Sequence, residues 1–407
     1  MAHLRQAIAL LTGLPVSDEQ QRLELQLQTQ LAGALMATEG YGAATTAAAF
    51  ARAHLLAELV GDLTLLFPVL YGQWVSRIVS AEHPGALEIA EQFALLARRN
   101  ADAEPILVGH RIRGSSMFVL GRTEEASAEL ARGIALYRPD RHTDLAYQYG
   151  QDPLVAGLTM WALAQWTLGY ANQSARATKE AIEHAKRGDH VNSLAYALYY
   201  AGIGLHYWLG NLDLVDNCAR DLAVLAIRHG MAMWQAHSHV AVGWTSARGG
   251  EAATGVAMIQ NGLTELKATG GVLWRPFTLL LLADAQLANG TGDDALATLD
   301  EALVGAVRQQ ELWLEPELHR RRAGVLLTLA GRAAEAEASL ETALAIARHR
   351  QTRSWELRAA CDLARLWAEQ GERQRAHDLL APVYGWFTEG FDTADLIEAK
   401  ALLDELA

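Results

Sequence analysis

Residue types that often carry catalysis occur in this chain without the spacing that catalysis needs. The sequence contains no Gly-x-x-x-x-Gly-Lys-Ser/Thr phosphate loop and no Gly-x-Ser-x-Gly turn, and neither Cys218 nor Cys361 lies in a nucleophile motif. Asp293 and Asp294 fall at an expected helix start, where carboxylates favour the helix dipole. His237 and His239 are two positions apart on a helix, so their rings diverge and cannot share one ion. We therefore expect no enzyme activity, no cofactor and no metal site.

Aromatic and arginine side chains are better candidates for a functional site. The chain has 11 tryptophans, and several fall on helices that we expect to face the inside of a curved repeat array. Trp, Tyr and Arg together can stack on a planar ligand or bind a peptide carboxylate. Two alternatives stay open, namely that the aromatic rings pack between helices and that the arginines form structural ion pairs. The predicted groove residues are Arg111, Phe118, Trp166, Tyr200, Tyr207, His237, Trp244, Arg321, Arg358 and Arg365.

A second candidate site is the segment 137–153, which mixes charged, aromatic and turn residues beside the predicted groove. Irregular segments on rigid scaffolds often carry binding function. The alternative is a longer connection that closes over the array. The candidate residues of this insert are Arg138, Arg141, His142, Tyr149, Gln151 and Asp152.

The elements that position these residues are predicted from a recurring turn. A helical run, a glycine and an alanine-rich helix follow one another seven times, and the steps between turn glycines are 48, 41, 40, 40, 41 and 40 residues. A glycine suits a place where a helix ends with positive φ and the chain reverses. The turn glycines are Gly121, Gly169, Gly210, Gly250, Gly290, Gly331 and Gly371.

Small residues are common seven positions before these glycines, with Ile203 in the third unit as the exception, and mostly small or apolar residues follow five and twelve positions after them. The small residues allow two antiparallel helices to approach closely. This spacing resembles the tetratricopeptide repeat, whose period is 34 residues, but the unit here is longer. The sequence therefore predicts an all-α, right-handed superhelical solenoid of about nine antiparallel helical hairpins, with a period of about 41 residues.

We expect residues 1–407 to form a single tetratricopeptide-like solenoid, because no stretch has the composition of a linker. Residues 1–100 are less regular, with a half hairpin at the start and a predicted turn at 39–42. Regular repeats fill 101–390 around the insert, and 391–407 supply a C-terminal capping helix. An opening half hairpin implies that the chain begins inside a longer array.

Composition limits the classes of partner. The formal charge of −13 repels a phosphate backbone, so we expect no nucleic acid. No apolar run approaches the ~20 residues of a membrane span, and two distant cysteines favour reduced thiols. We therefore expect a cytoplasmic protein without a membrane partner.

Six stretches, 3–11, 34–41, 66–74, 149–153, 354–360 and 384–393, carry a family resemblance. Together they resemble the C-terminal tetratricopeptide-like region of bacterial STAND-type ATPase and class III adenylate/guanylate cyclase signalling proteins. The most specific is 384–393, Tyr-Gly-Trp-Phe-Thr-Glu-Gly-Phe-Asp-Thr. The cyclase and ATPase domains are missing from this sequence, so any such activity would belong to them and not to this chain.

Two functional interpretations remain. The first is a non-catalytic sensor or adaptor whose concave groove binds a protein, a peptide or a small-molecule effector. The second is the regulatory, autoinhibitory portion of a multidomain cyclase or of a STAND-type transcriptional regulator, with ATPase or cyclase domains as partners. A reading frame that continues upstream would favour the second interpretation.

Overall fold

The computed structural model describes residues 2–11, 13–38, 43–61, 63–100 and 103–407, and within them every regular element is a helix. The predicted turn at 39–42 lies outside the described residues. No described helix is both long enough and apolar enough to span a membrane. The tetratricopeptide-like solenoid expected from the sequence is confirmed.

Within the described ranges, nine antiparallel hairpins follow an opening helix, α1 (Ala2–Leu11). Two short helices, α8 (Pro139–His142) and α9 (Leu145–Tyr149), interrupt them after the third hairpin, and α23 (Ala394–Leu406) follows the ninth. The hairpins are α2 (Asp18–Thr38) with α3 (Ala44–Val60), α4 (Leu63–Val79) with α5 (His83–Asn100), α6 (Ala103–Val119) with α7 (Thr123–Leu136), α10 (Pro153–Thr167) with α11 (Ala171–Arg187), α12 (Val191–Tyr196), a π-helical segment (Ala197–Leu205) and α13 (His206–Trp208) with α14 (Leu212–His229), α15 (Ala232–Arg248) with α16 (Ala252–Ala268), α17 (Arg275–Ala288) with α18 (Gly292–Gln309), α19 (Glu315–Thr328) with α20 (Ala333–His349), and α21 (Arg353–Glu369) with α22 (Arg373–Tyr384).

The turn glycines behave as the repeat predicts, since all seven have positive φ, between 74° and 100°. Small residues bring the two helices of each hairpin together, as at Gly243 and Gly255, where a Cβ on either residue would collide with the carbonyl of the other. Glycine is therefore required at these crossings, because no side chain fits between the two helices.

The irregular third unit contains a π-helical segment, Ala197–Leu205. The wider turn brings Gly202, and not Ile203, against the second helix, where an added Cβ would lie 2.7 Å from the sulfur of Cys218. This accounts for the exception at Ile203. A π-helical turn often occurs at a functional site, and here it carries Tyr200 to the inside of the superhelix.

The array winds far enough for successive turns of the superhelix to touch. The last carbonyls of a helix have no partner within that helix, and four of them accept hydrogen bonds from residues just before a later helix or in its first two turns. Two of these bonds join residues 188 and 150 positions apart. The inter-turn bonds made by these four carbonyls are Val79 with the amides of Val272 (2.9 Å) and Leu273 (3.1 Å), Val119 with the amides of Leu312 (2.8 Å) and Trp313 (3.3 Å), Trp166 with the hydroxyl of Ser354, and Trp208 with the guanidinium of Arg358 (2.7 Å).

Aromatic rings fill the line along which the two turns meet. Trp208 lies at the centre, with ring centroids 4.9 Å from Trp355, 5.5 Å from Phe277 and 5.7 Å from Trp166. These stacked, tilted and edge-to-face pairs add to the stabilisation that burial alone gives. We call this set the aromatic spine, and its members are Phe118, Trp166, Trp208, Phe277, Trp313 and Trp355.

The segment after α22 closes the second turn onto the first. The carboxylate of Glu389 accepts hydrogen bonds from the amides of Asn172 (2.9 Å) and Gln173 (3.1 Å) at the start of α11. A carboxylate at a helix N-terminus satisfies free amides and the helix dipole. Trp386 stacks beside Tyr170, with centroids 5.7 Å apart. The stretch 384–393, the most specific of those that carry the family resemblance, therefore makes contacts between the two superhelical turns.

We predict that alanine at two turn glycines has unequal effects. Gly331 has a φ of +76° and open space around it, so Gly331→Ala should lower the free energy of unfolding by about 1 kcal/mol, the cost of a left-handed alanine. Gly169 has a φ of +96°, and a Cβ there would lie 2.6 Å from Trp386. Gly169→Ala should cost about 1–3 kcal/mol more. Denaturant unfolding followed by circular dichroism compares the two variants, and equal losses would mean that Trp386 does not pack on this turn.

Candidate functional site

Two cavities open on the inside of the superhelix, and the aromatic spine lies between them. Ring contacts run from Trp274 in the first cavity through Phe277 and Trp208 to Tyr207 in the second. The first, which we call the N-terminal cavity, measures about 750 Å³ and the second, the C-terminal cavity, about 1050 Å³, both counting the part open to solvent. The groove predicted from the sequence is thus divided.

The N-terminal cavity is apolar and aromatic, and none of the described residues that line it carries a carboxylate. Its aromatic wall consists of Trp74, Tyr196, Tyr200, Trp234 and Trp274, and its polar groups come from Arg111, Ser115, Gln151, Asn192 and His237. Much of the cavity's volume is open to solvent, and the enclosed part is narrow. It has room for a few waters or for a slim, planar group.

Arg111 is the charged group of this cavity, and it is only 3% exposed. Its guanidinium donates to the hydroxyl of Tyr71 at 2.8 Å and to the side-chain oxygen of Gln151, and its Nε has no partner. The guanidinium carbon lies 4.9 Å from the ring centre of Trp74. Both oxygen partners are neutral, and no carboxylate among the described residues forms an ion pair with Arg111.

His237 is also buried, at 3% exposure, with its ring 4.1 Å from that of Tyr199. Burial lowers the pKa of His237 to about 3, so the imidazole is neutral at physiological pH. Its Nδ1 has no hydrogen-bond partner. A neutral imidazole with a free nitrogen can donate to or accept from a ligand.

Backbone and side-chain bonds hold the aromatic wall in place. The indole of Trp234 donates to Asn192 at 2.7 Å, and the indole of Trp74 donates to Ser116 at 2.9 Å. Trp274 has a φ of +62°, and its amide donates to the buried carboxylate of Glu311 at 3.2 Å. A bulky residue with positive φ is strained. This conformation turns the Trp274 ring into the cavity.

The C-terminal cavity is wider and charged, but its charges are already paired. Arg321 pairs with Asp284, whose carboxylate also accepts from the hydroxyl of Tyr207 at 2.9 Å and from the indole of Trp244 at 3.3 Å. Arg358 pairs with Asp395 at 2.9 Å. These arginines form structural ion pairs, the alternative that the sequence left open.

Buried ionisable groups of the C-terminal cavity follow the same pattern. Burial raises the pKa of Glu317, but Arg320 outweighs it, and the pKa lies below its ordinary value. Arg320 also pairs with Asp362 at 2.6 Å. Burial raises the pKa of the Cys361 thiol to about 12, so the thiol is protonated at neutral pH. Among the described residues, no group of three or more His, Cys, Asp and Glu side chains is placed to hold a metal ion.

The insert contributes to the cavity through a single residue, Gln151. Tyr149 packs into the core with its ring 5.0 Å from that of Tyr71. Asp152 caps α10 by accepting from the amides of Leu154 and Val155 at 2.8 and 3.1 Å. Other residues of the insert, Thr143, Ala146, Tyr147 and Asp152, line a separate cavity of about 600 Å³ beside α11.

The predicted residues fall into four places. The N-terminal cavity holds Arg111, Tyr200, His237 and Gln151, and the C-terminal cavity holds Tyr207, Trp244, Arg321 and Arg358. Phe118 and Trp166 belong to the aromatic spine. The remaining six predicted residues line neither of these two cavities. They are Arg365, Arg138, Arg141, His142, Tyr149 and Asp152.

Sequence reasoning missed five wall residues of the N-terminal cavity, Trp74, Asn192, Tyr196, Trp234 and Trp274. A signal for two of them was present. Trp234 and Trp274 stand one repeat apart, at equivalent places near the start of a first helix. A search for aromatic residues at helix starts, and not only near the turn glycines, would have found them.

Comparison with known proteins supports the fold and leaves the function open. No family model matches the chain. An uncharacterized protein of Rhizobium meliloti (strain 1021) is 29% identical over 341 residues, which cover 83% of this chain. The chain spans about a third of that relative's length, 32%.

Solved structures of helical repeat proteins are similar over most of the chain. A Rap protein complexed with competence and sporulation factor has a TM-score of 0.55 at 13% identity, covering 82% of this chain and 99% of its own. The Rap conjugation gene regulator of plasmid pLS20, in complex with the Phr* peptide, has a TM-score of 0.51 at 12% identity and covers 94% and 96%. The APC/C hetero-tetramer Cut9–Hcn1 has 0.50 at 18% and covers 88% and 59%. At these identities the likeness establishes the tetratricopeptide-like fold alone.

We predict that His237 makes the fold sensitive to mild acid. Its pKa is about 3 when folded and near 6.5 when unfolded, so between these values only the unfolded chain takes up the proton. The free energy of unfolding should therefore fall by about 1–2 kcal/mol from this group between pH 7 and pH 5. Denaturant unfolding at the two pH values should show a smaller drop for His237→Gln than for the wild type.

The matched control is His239→Gln on the same helix. His239 is only half-buried and pairs with Glu265 at 2.7 Å, so removing it should not reduce the acid-induced loss in this way. Other buried histidines contribute equally to the acid-induced loss of unfolding free energy in the wild type and in His237→Gln. A wild-type loss between pH 7 and pH 5 that His237→Gln reproduces in full would rule out this role.

Proposed function

We propose that this chain is a non-catalytic sensor or adaptor array whose N-terminal cavity binds a peptide or a small-molecule effector. The observation that carries the proposal is the cavity wall, in which five aromatic residues surround two buried polar groups with unpartnered nitrogens, on Arg111 and His237. An apolar pocket with a few convergent polar groups is typical of a ligand site. An unsatisfied buried polar atom gains free energy when a ligand supplies its partner.

The comparisons support a peptide as one kind of ligand. Two similar structures, both Rap proteins, were solved with competence and sporulation factor and with the Phr* peptide. Helical repeat arrays commonly bind their partners on the concave inner surface, on which the N-terminal cavity opens. The bacterial source of the similar sequence agrees with a role in bacterial signalling.

The position of the cavity suggests how binding would reach the rest of the molecule. Val79 and Leu273 line the cavity and are also joined by an inter-turn bond of 3.1 Å. A ligand that presses on this wall would alter the spacing of the two superhelical turns. The free energy available for such a change is the difference in ligand affinity between the two spacings.

A second candidate is the regulatory, autoinhibitory portion of a multidomain cyclase or STAND-type regulator. The observation that favours it is the length of the Rhizobium meliloti relative, of which this chain spans 32%. Sequencing the coding DNA on both sides of the chain distinguishes the two candidates. A frame that continues into an ATPase or cyclase domain supports the second, and flanking stop codons support a separate adaptor.

We predict that filling the N-terminal cavity abolishes ligand binding. Val75 and Met233 are partly buried residues of its wall, so Val75→Trp or Met233→Trp should occupy the space that a ligand needs. Affinity selection followed by mass spectrometry, with a pool of short peptides and a pool of small organic acids, should recover ligands on the wild type that both variants lose.

The control variant is Val224→Trp on the outer helix α14, where Val224 is 58% exposed. It adds the same ring away from the cavity and should retain the wild-type ligands. Circular dichroism at 222 nm verifies that all variants keep their helices. Ligands retained equally by the wild type, the filled variants and the control would show that the cavity is not the binding site.

A further inference from the structure

Arg111 differs from the arginines of the C-terminal cavity in having no carboxylate partner among the described residues. Arg320, Arg321 and Arg358 each pair with at least one carboxylate. Arg111 is more deeply buried than any of them, yet its oxygen partners are the neutral Tyr71 and Gln151. A buried charge without a counter-charge is strongly unfavourable in a protein.

The surroundings of Arg111 exclude carboxylates, although acidic residues are common elsewhere. The chain contains 47 Asp and Glu residues and has a formal charge of −13. None of those in the described part of the chain lines the N-terminal cavity. The cavity is therefore a local positive site, and an anion would meet no repulsion from its wall.

Two hydrogen bonds to uncharged side chains orient the guanidinium without neutralising its charge. Tyr71 and Gln151 hold the two Nη atoms, while Nε is left without a partner. The planar fork of an arginine suits a carboxylate, which has two oxygens to offer. A single positive charge matches a monoanion better than a phosphate dianion, whose second charge would be left in apolar surroundings.

The rest of the wall defines what must accompany the anion. Tyr200 and Trp274 face each other edge to face, with centroids 4.6 Å apart, and Trp234 closes the same side. The narrow, ring-lined space fits a planar or branched apolar group. The free Nδ1 of His237 supplies one further polar contact.

We infer that the N-terminal cavity binds the carboxylate of an aromatic or apolar acid, with Arg111 as its counter-ion. The inference rests on the proposed function and names the ligand class for the same cavity. The carboxylate can belong to a free small acid or to the C-terminal residue of a peptide. The chemistry of recognition is the same in both cases, and the experiment below separates them.

The experiment compares each acid with its neutral amide by calorimetry on the full chain. The probes are 3-phenylpropionate against 3-phenylpropanamide, and an acetylated tetrapeptide ending in phenylalanine as the free acid against its C-terminal amide. At least one acid should bind about tenfold or more tightly than its amide, as expected for a charge-assisted pair of hydrogen bonds. Arg111→Met should reduce that ratio to about one, and Arg111→Lys, which keeps the charge, should retain part of it.

Stability of the unliganded protein distinguishes a ligand-binding Arg111 from a structural one. Because the free protein leaves the guanidinium without a counter-charge, Arg111→Met should melt at or above the wild-type temperature. The matched control is Arg322→Met, which lies outside both cavities and pairs with Asp300 at 2.7 Å. It should keep the wild-type preference for acids.

The outcomes are separable. Tight binding of the small acid identifies a free acid as the ligand class, and binding of the peptide acid alone identifies a peptide C-terminus. An acid preference that survives Arg111→Met, or no acid preference in the wild type, overturns the inference. If ligands that depend on Val75 are found at the same time, the proposed function stands without it. If binding of every ligand is indifferent to Val75→Trp, the proposed function fails as well.

Discussion

The carbonyl groups at the C-terminal end of a hairpin's first helix have no partner within that helix. The hydrogen bonds that these carbonyls accept set the shape of this superhelix. In an open array such groups are hydrated or bonded within their own turn. Here Val79, Val119, Trp166 and Trp208 accept from groups just before a helix or in its first two turns, one superhelical turn later. The turns must therefore touch along a line, and the aromatic spine fills that line. The inner surface becomes two separate cavities because of this contact.

The two cavities differ in how their charges are balanced. In the C-terminal cavity, Asp284 and Asp395 neutralise Arg321 and Arg358, so the network is complete and braces the spine. In the N-terminal cavity, Arg111 has only neutral partners. A complete network contributes to structure, whereas an incomplete one leaves free energy to be gained from a ligand. The contrast explains why we assign binding to the first cavity and support to the second.

Local features of the sequence predict the hairpins well, because the turn glycines and the small residues beside them act within one unit. Contacts between turns join residues such as Trp166 and Ser354, 188 positions apart, and a repeat pattern contains no information about them. For that reason Phe118 and Trp166 were predicted to face a groove and instead lie in the spine. Arg111 and Arg321 look alike in sequence, and only the fold shows that one has a carboxylate partner. The π-helical segment was visible merely as the irregular third unit.

Hydrogen exchange at the amides of Val272 and Leu312 tests most directly whether the two turns touch. Both amides lie in connections between helices and bond to carbonyls of the preceding turn, at 2.9 and 2.8 Å. If the account is right, both exchange at rates comparable to those of amides in the middle of helices, about a hundredfold or more slower than open loop amides. Exchange of both amides as fast as in an unprotected loop would show that the superhelix is open in solution, and the division into two cavities would be wrong.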